Sequence, residues 1–233
     1  SYTWYGAGYA GEDTTCVSML NAKLCIGVQG TVSSVSGLST VSFIDEIFIK
    51  YGGATGFVRR PISNRGTPFI VQYDASYNLR EKNIRDVSMK VLRNAPIDPG
   101  TGLPVPTIGV ATSAGISVIR DNQSDIWDIT AEAGSSYDPT NYIDFTASGK
   151  IIFDQDNSKR SIFYMDIPDS DTQSVTNDGV IFDKIIAKHY PTAPNDMPAY
   201  LGEGISHLIP AKGESQVFRA TTGQLTLVDP DEY

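Results

Sequence analysis

Residues 108–130 read IGVATSAGISVIRDNQSDIWDIT. Apolar and polar residues alternate up to Thr112, pass through a Ser-Ala-Gly cluster, alternate again, and break at Asp121-Asn122. A period of two is the mark of a β-strand with different neighbours on its two faces. A small polar cluster ending in glycine, set between two such runs, is a tight hairpin in which Gly115 supplies a positive φ. In GISVIRD, Ile116 and Val118 fall on one face, Ser117 and Ile119 on the other. The Asp/Asn/Ser-rich RDNQSD is a second short turn, because these side chains bond their own backbone. The stretch therefore predicts three antiparallel strands.

The same grammar recurs. IDFTASGKIIFDQD (143–156) and VFRATTGQLTLVD (217–229) again place a Thr/Ser/Ala cluster and a glycine between strand-like runs, then close on aspartate. Gly115, Gly149 and Gly223 are 34 and 74 residues apart, which leaves room for one enlarged unit over 170–214. After QDNSKR, the run RSIFYMDIP resumes a strand, as DIWDIT does in the first unit. A repeated meander at this period resembles the blades of β-propeller proteins, clearly over 104–168 and partially over 215–233. Trp127-Asp128 echoes the WD dipeptide of one such family, and Trp127 is a candidate binding platform as well as a packing residue.

The front of the chain differs. KLCIGV (23–28) and SFIDEIFIKYGG (42–53) resemble the closing strands of a laminin-G-like, concanavalin-A-type jelly roll. Ile26, Gly27, Ile44, Asp45, Glu46, Ile47 and Ile49 are the matching positions. The resemblance implies that Asp45 and Glu46 hold strand and loop together. Between the two regions, Ile84, Val87, Val91 and Leu92 recur at 3, 4 and 1 residues. That spacing predicts an amphipathic helix over 79–94, capped by Asn78 and ended before Pro96. Arg80, Arg85, Lys90 and Arg93 would form its basic face. The Pro/Gly-rich residues 95–105 then read as a linker. Three regions are expected: a partial laminin-G-like β segment (1–78), a helical connector (79–105) and β-meander repeats forming an incomplete propeller-like domain (106–233). The fold class is mainly β.

Charge and composition narrow the function. The net charge is −9, distributed as zero over 1–78, +3 over 79–94 and −12 over 95–233. An acidic C-terminal region repels phosphate backbones, so nucleic acid is not an expected partner. No apolar run approaches the roughly 20 residues that span a bilayer, so membrane insertion is not expected. The opening SYTWYGAGYAGEDTT carries neither an initiator Met nor a signal-like apolar run, and the expectation is a piece of a longer protein. Cys16 and Cys25 could face one another as a disulfide or remain buried thiols; the spacing leaves both open.

No Walker loop, GxSxG, GxGxxG or HExxH occurs, and His189 and His207 lack nearby metal-ligand partners in sequence. DQDNS presents Asp154, Asp156, Asn157 and Ser158 as alternating oxygens, as a Ca²⁺ loop would, but without the glycine and distal glutamate of an EF-hand. A hairpin turn competes with that reading. The candidate binding residues are Trp127, Asp154 and Asp156; no catalytic residue, cofactor or resident metal is assigned. The order of modules resembles tail-fibre and other virion structural proteins of tailed phages. That resemblance implies a structural and adhesive role, virion-borne or extracellular. Its expected partners are a host surface glycan or other virion subunits, and a homo-oligomer would suit it. The alternatives are a protein-binding propeller of a bacterium and an extracellular glycan-active enzyme. The enzyme would need two or more of Asp154, Asp156, Asp166, Asp169 and Asp171 in one funnel.

Overall fold

A computed structural model gives the fold of the chain. It describes residues 12–30, 36–52, 58–61, 78–122, 125–130, 139–155 and 161–169, together with five later strand backbones. The described residues are mainly β and arranged as antiparallel sheets. Among them, no helix is long and apolar enough to cross a membrane.

The first sheet contains β1 (Glu12–Leu20), β2 (Lys23–Gly30), β3 (Gly37–Ser42), β4 (Ile47–Tyr51) and β5 (Val58–Pro61), each paired with the next in chain order. The second is the meander β6 (Ile84–Lys90), β7 (Thr107–Thr112), β8 (Gly115–Ile119) and β9 (Ile126–Thr130), with β13 (Thr172–Gln173) added parallel to β9. The third comprises β10 (Ile143–Phe145), β11 (Ile151–Gln155), β12 (Ser161–Met165) and β14 (Lys184–Ala187). A further meander contains β15 (Ile205–Pro210), β16 (Val217–Thr221) and β17 (Gln224–Val228).

The first three sheets are layered, and the second is covered on both faces. Ile108, Val110 and Ile119 join Cys25, Leu38, Ile49 and Tyr51 in one buried cluster. Ala111, Ile116, Val118 and Ile129 join Ile143, Phe145, Ile151 and Phe153 in another. The alternation decides this: Ile108 pairs with Ile119 and Ala111 with Ile116, so successive residues of β7 and β8 serve opposite layers. Burying each of these large aliphatic side chains stabilises the fold by about 1.5–3 kcal/mol. The hairpin glycines do what their position requires. Gly115 has φ 122° and Gly149 φ 91°, both in the region closed to most side chains.

Three expectations need correction. Residues 79–94 do not form a helix: Ile84–Lys90 is a strand paired with β7. The cause is a bulge. Ile84 lies opposite Thr112 and Asp86 opposite Ala111, so one extra residue separates Ile84 from Val87, and a helical spacing of three places both on one sheet face. The basic side chains consequently do not share a helical face. Arg80 Nε reaches the Ala114 carbonyl at 3.3 Å, and Arg85 Nη1 bonds Asn141 Oδ1.

The Pro/Gly stretch is likewise not an open linker, because it joins two paired strands of one sheet. It folds back on itself, with Val105 N donating to Pro96 O (2.9 Å) and Asp98 N to Leu103 O (2.9 Å). Finally, Asp45 and Glu46 are not within a strand. They close the β3–β4 turn, where Glu46 adopts φ 54° and Ser42 Oγ donates to Asp45 Oδ2 at 2.5 Å.

Candidate functional site

Strand β2 carries Lys23, Cys25 and Gly27 on the face turned toward the second sheet, and all three are buried. A lysine at one of these positions is unusual, since an ammonium is almost never fully buried without a partner. Lys23 is only 6% exposed. Its cross-strand neighbours are Ser42 and, beyond that, Ile47; the next row holds Thr40 and Ile49. The apolar core between the sheets stops here, and a cleft of about 370 Å³ opens.

The rows Lys23–Ser42–Ile47 and Thr40–Ile49 line one side of the cleft. Pro96, Ile97, Asp98, Pro99 and Val105 of the β6–β7 connection line another, with Asp121 and Asn122 of the β8–β9 turn and Asp45 of the β3–β4 turn. These segments are tied together. Asn21 Nδ2 donates to Pro104 O at 2.7 Å, and Phe43 N to Ala22 O at 3.0 Å. Asp98 Oδ1 accepts from Gly100 N (2.8 Å) and Thr101 N (3.3 Å), which fixes the tip of the connection. Asn122 Oδ1 accepts from Asp125 N at 2.9 Å, a local side-chain-to-backbone bond of the kind that Asp/Asn-rich turns make.

Three carboxylates, Asp45, Asp98 and Asp121, thus share the cleft with one ammonium. Burial pushes the Lys23 amine below its ordinary 10.5, while Cys25, Asp45 and Asp98 act in the opposite sense. No hydrogen bond or ion pair within 4.0 Å to a described residue satisfies Lys23. Among the described residues no group of three His, Cys, Asp or Glu side chains could hold a metal ion.

The residues singled out in the sequence lie elsewhere. Trp127 is half-buried on β9 opposite Val118 and does not line the cleft. Asp154 is 3% exposed on β11 and serves as an anchor. It accepts from Asn141 N (2.8 Å), Tyr142 N (2.7 Å) and Asn141 Nδ2 (3.3 Å). Burial, followed by the charges of Asp154 and Asp86, raises the Tyr142 phenol. Asp166 is exposed and 3.3 Å from Lys150 Nζ, and Asp169 is exposed. Asp156 and Asp171, like His189, lie outside the described residues, and so does Gly223.

Cys16 and Cys25 are free thiols on neighbouring strands, not a disulfide. Burial raises Cys16 to about 11 and Cys25 to about 12. Such thiols stay protonated and are poor nucleophiles at neutral pH.

Sequence reading missed Lys23, Asp98 and Asp121 and gave Asp45 a structural role only. One signal was available for Lys23, a charged residue at a position that the alternation of KLCIGV assigns to the buried face.

No protein-family model and no curated protein sequence matches the chain. Among solved structures, two of the extracellular domain of one B. thetaiotaomicron protein are similar, described in one as a putative hybrid two component system and in the other as a putative one component system. One has 11% identity and TM-score 0.42, over 95% of this chain and 36% of that one. The other has 13% identity and TM-score 0.40, over 97% and 39%. A protein of unknown function from Bacteroides caccae matches with 10% identity and TM-score 0.27, over 90% of both chains. This chain therefore spans under two fifths of the first two structures.

Proposed function

We propose that the chain is a non-enzymatic binding module that works outside the cytoplasm. It would belong to a larger surface or virion appendage of the tail-fibre type and hold a polar ligand, such as a host-surface glycan, in the cleft. One observation carries this reading: a buried ammonium, two hydroxyl-bearing side chains and three carboxylates converge from β2, β3 and three separate turns, at the point where the core between two sheets ends. Small-molecule pockets of roughly 300–1,000 Å³ with a few convergent polar groups on an apolar wall have this character.

The non-enzymatic reading is supported by two of the five aspartates that the glycosidase alternative drew on: Asp154 is committed to two backbone N–H groups, and Asp166 sits on Lys150. A protein subunit is the second occupant the geometry favours. Phe43, Ile44 and Ile97, in the turns that form the cleft, are respectively 46, 47 and 60% exposed.

A glycan array tests the proposal, read with the wild-type chain and with Lys23→Met. Binding that the substitution weakens supports it. Hydrolysis of the arrayed glycans, or binding indifferent to Lys23, overturns it.

A further inference from the structure

The cleft has an excess of negative charge placed around one small space. A Cβ on Gly100 would lie 2.9 Å from Asp45 Oδ1 and 3.3 Å from Asp98 Oδ1. These two oxygens are therefore no more than about 6 Å apart, which puts the two carboxylates near enough for one ammonium to reach an oxygen of each. Asp45 uses its other oxygen, Oδ2, to hold Ser42. Asp98 turns Oδ1 to the backbone N–H groups of Gly100 and Thr101. No hydrogen bond from a described residue reaches Asp45 Oδ1 or Asp98 Oδ2.

Lys23 presents the opposite need. It is buried, lines the same cleft and has no acceptor among the described residues. An occupant that complements both would donate from a positive group toward Asp45 and Asp98 and accept from Lys23. A divalent metal is the weaker match, since among the described residues no three His, Cys, Asp or Glu side chains are placed to hold one. A neutral polyol meets the second need but leaves the excess carboxylate charge uncompensated.

We infer that the cleft binds a small hydroxylated primary amine, such as an amino sugar, its ammonium between Asp45 and Asp98 and its hydroxyl oxygens accepting from Lys23. This rests on the reading of the cleft as a binding site and specifies which ligand class it takes.

Calorimetric titration of the whole chain with glucosamine, N-acetylglucosamine and glucose tests the assignment. Glucosamine is expected to bind, and acetylation of its nitrogen or its replacement by hydroxyl to weaken binding about tenfold or more, the worth of one charge-assisted hydrogen bond. Asp45→Asn and Asp98→Asn keep the shape and an acceptor oxygen, and each should cost about tenfold for glucosamine. Gly100→Ala, with no positive φ to strain, should also weaken binding, because its Cβ would crowd Asp45 Oδ1 and displace that carboxylate. An unchanged unfolding midpoint for these variants shows that the loss is local. Equal affinity for glucosamine and glucose, or variants that bind as the wild type does, overturns the inference. Array glycans that bind through Lys23 while glucosamine does not would overturn the amine assignment and leave the module's function standing. Failure of every sugar and array glycan overturns both.

Discussion

Replacing Asp154 by alanine separates two roles that a carboxylate in an acidic turn could play. In the fold it is 3% exposed and accepts from the backbone N–H groups of Asn141 and Tyr142 at 2.8 and 2.7 Å, with the Asn141 amide at 3.3 Å. The two short bonds are charge-assisted and fasten the segment leading into β10 onto β11, since Asp154 N also donates to Tyr142 O at 3.2 Å. Asp154→Ala orphans both N–H donors at about 1–3 kcal/mol each. The expected loss is about 4 kcal/mol, set against a total stability of about 5–15 kcal/mol for a domain. For a chain of this length that lowers the melting temperature by roughly 10 °C. Asp154→Asn keeps an acceptor for both donors and should cost less than half as much. Urea unfolding of the three proteins, followed by tryptophan fluorescence, reads the difference. A loss below about 1 kcal/mol for Asp154→Ala, or equal losses for the two variants, would refute the anchoring argument.

Close approach of β10 to β7 makes Gly109→Ala costly, because its Cβ would lie 2.7 Å from Ile143 Cδ1. Overpacking of this kind costs about 1–3 kcal/mol. Ile143→Val removes the offending atom, so the double variant should be more stable than the sum of the single effects allows; simple additivity in urea melts would contradict the packing. Lys23→Met should stabilise the chain at neutral pH, because a buried ammonium held below 10.5 is a penalty paid in full below its folded pKa. The penalty fades as pH rises from the folded value to 10.5, so the advantage of Met must shrink over that window. A gap between the melting curves that stays constant from pH 7 to 10.5 would contradict this. Cys16 and Cys25, raised to about 11 and 12, should resist iodoacetamide at pH 8 in the native state and react once unfolded. Their sign is opposite to that of the lysine: unfolded thiols ionise from 9.0, the folded ones only near 11 and 12, so their contribution is intact below 9 and lost as pH rises above it. Rapid native-state alkylation would count against their burial.

Where local chemistry and tertiary packing agree, the fold is legible from residues alone. Gly115 and Gly149 announce hairpins because the required φ leaves few other choices, and the alternation of β7 and β8 survives because both faces meet apolar layers. The β6 strand is misread because a bulge converts a spacing of two into three. Ile84 and Val87 then mimic a helix, and nothing local reveals that Thr112 and Ala111 lie opposite. The cleft is harder still. Lys23, Asp45, Asp98 and Asp121 are spread over three connections and a strand end, and only the pairing of β2 with β3 and β6 with β7 brings them together. Parity supplies the missing clue. In KLCIGV the side chains of Lys23 and Cys25 must point the same way, and Cys25 is fully buried, so the lysine points into the interior as well. A fold whose only concern was stability would gain by placing a methyl-bearing residue there, as it does at Ile49 one row further in. The buried lysine is a local cost in stability that Asp45 and Asp98 offset in part, a trade that the binding role proposed for the cleft would account for.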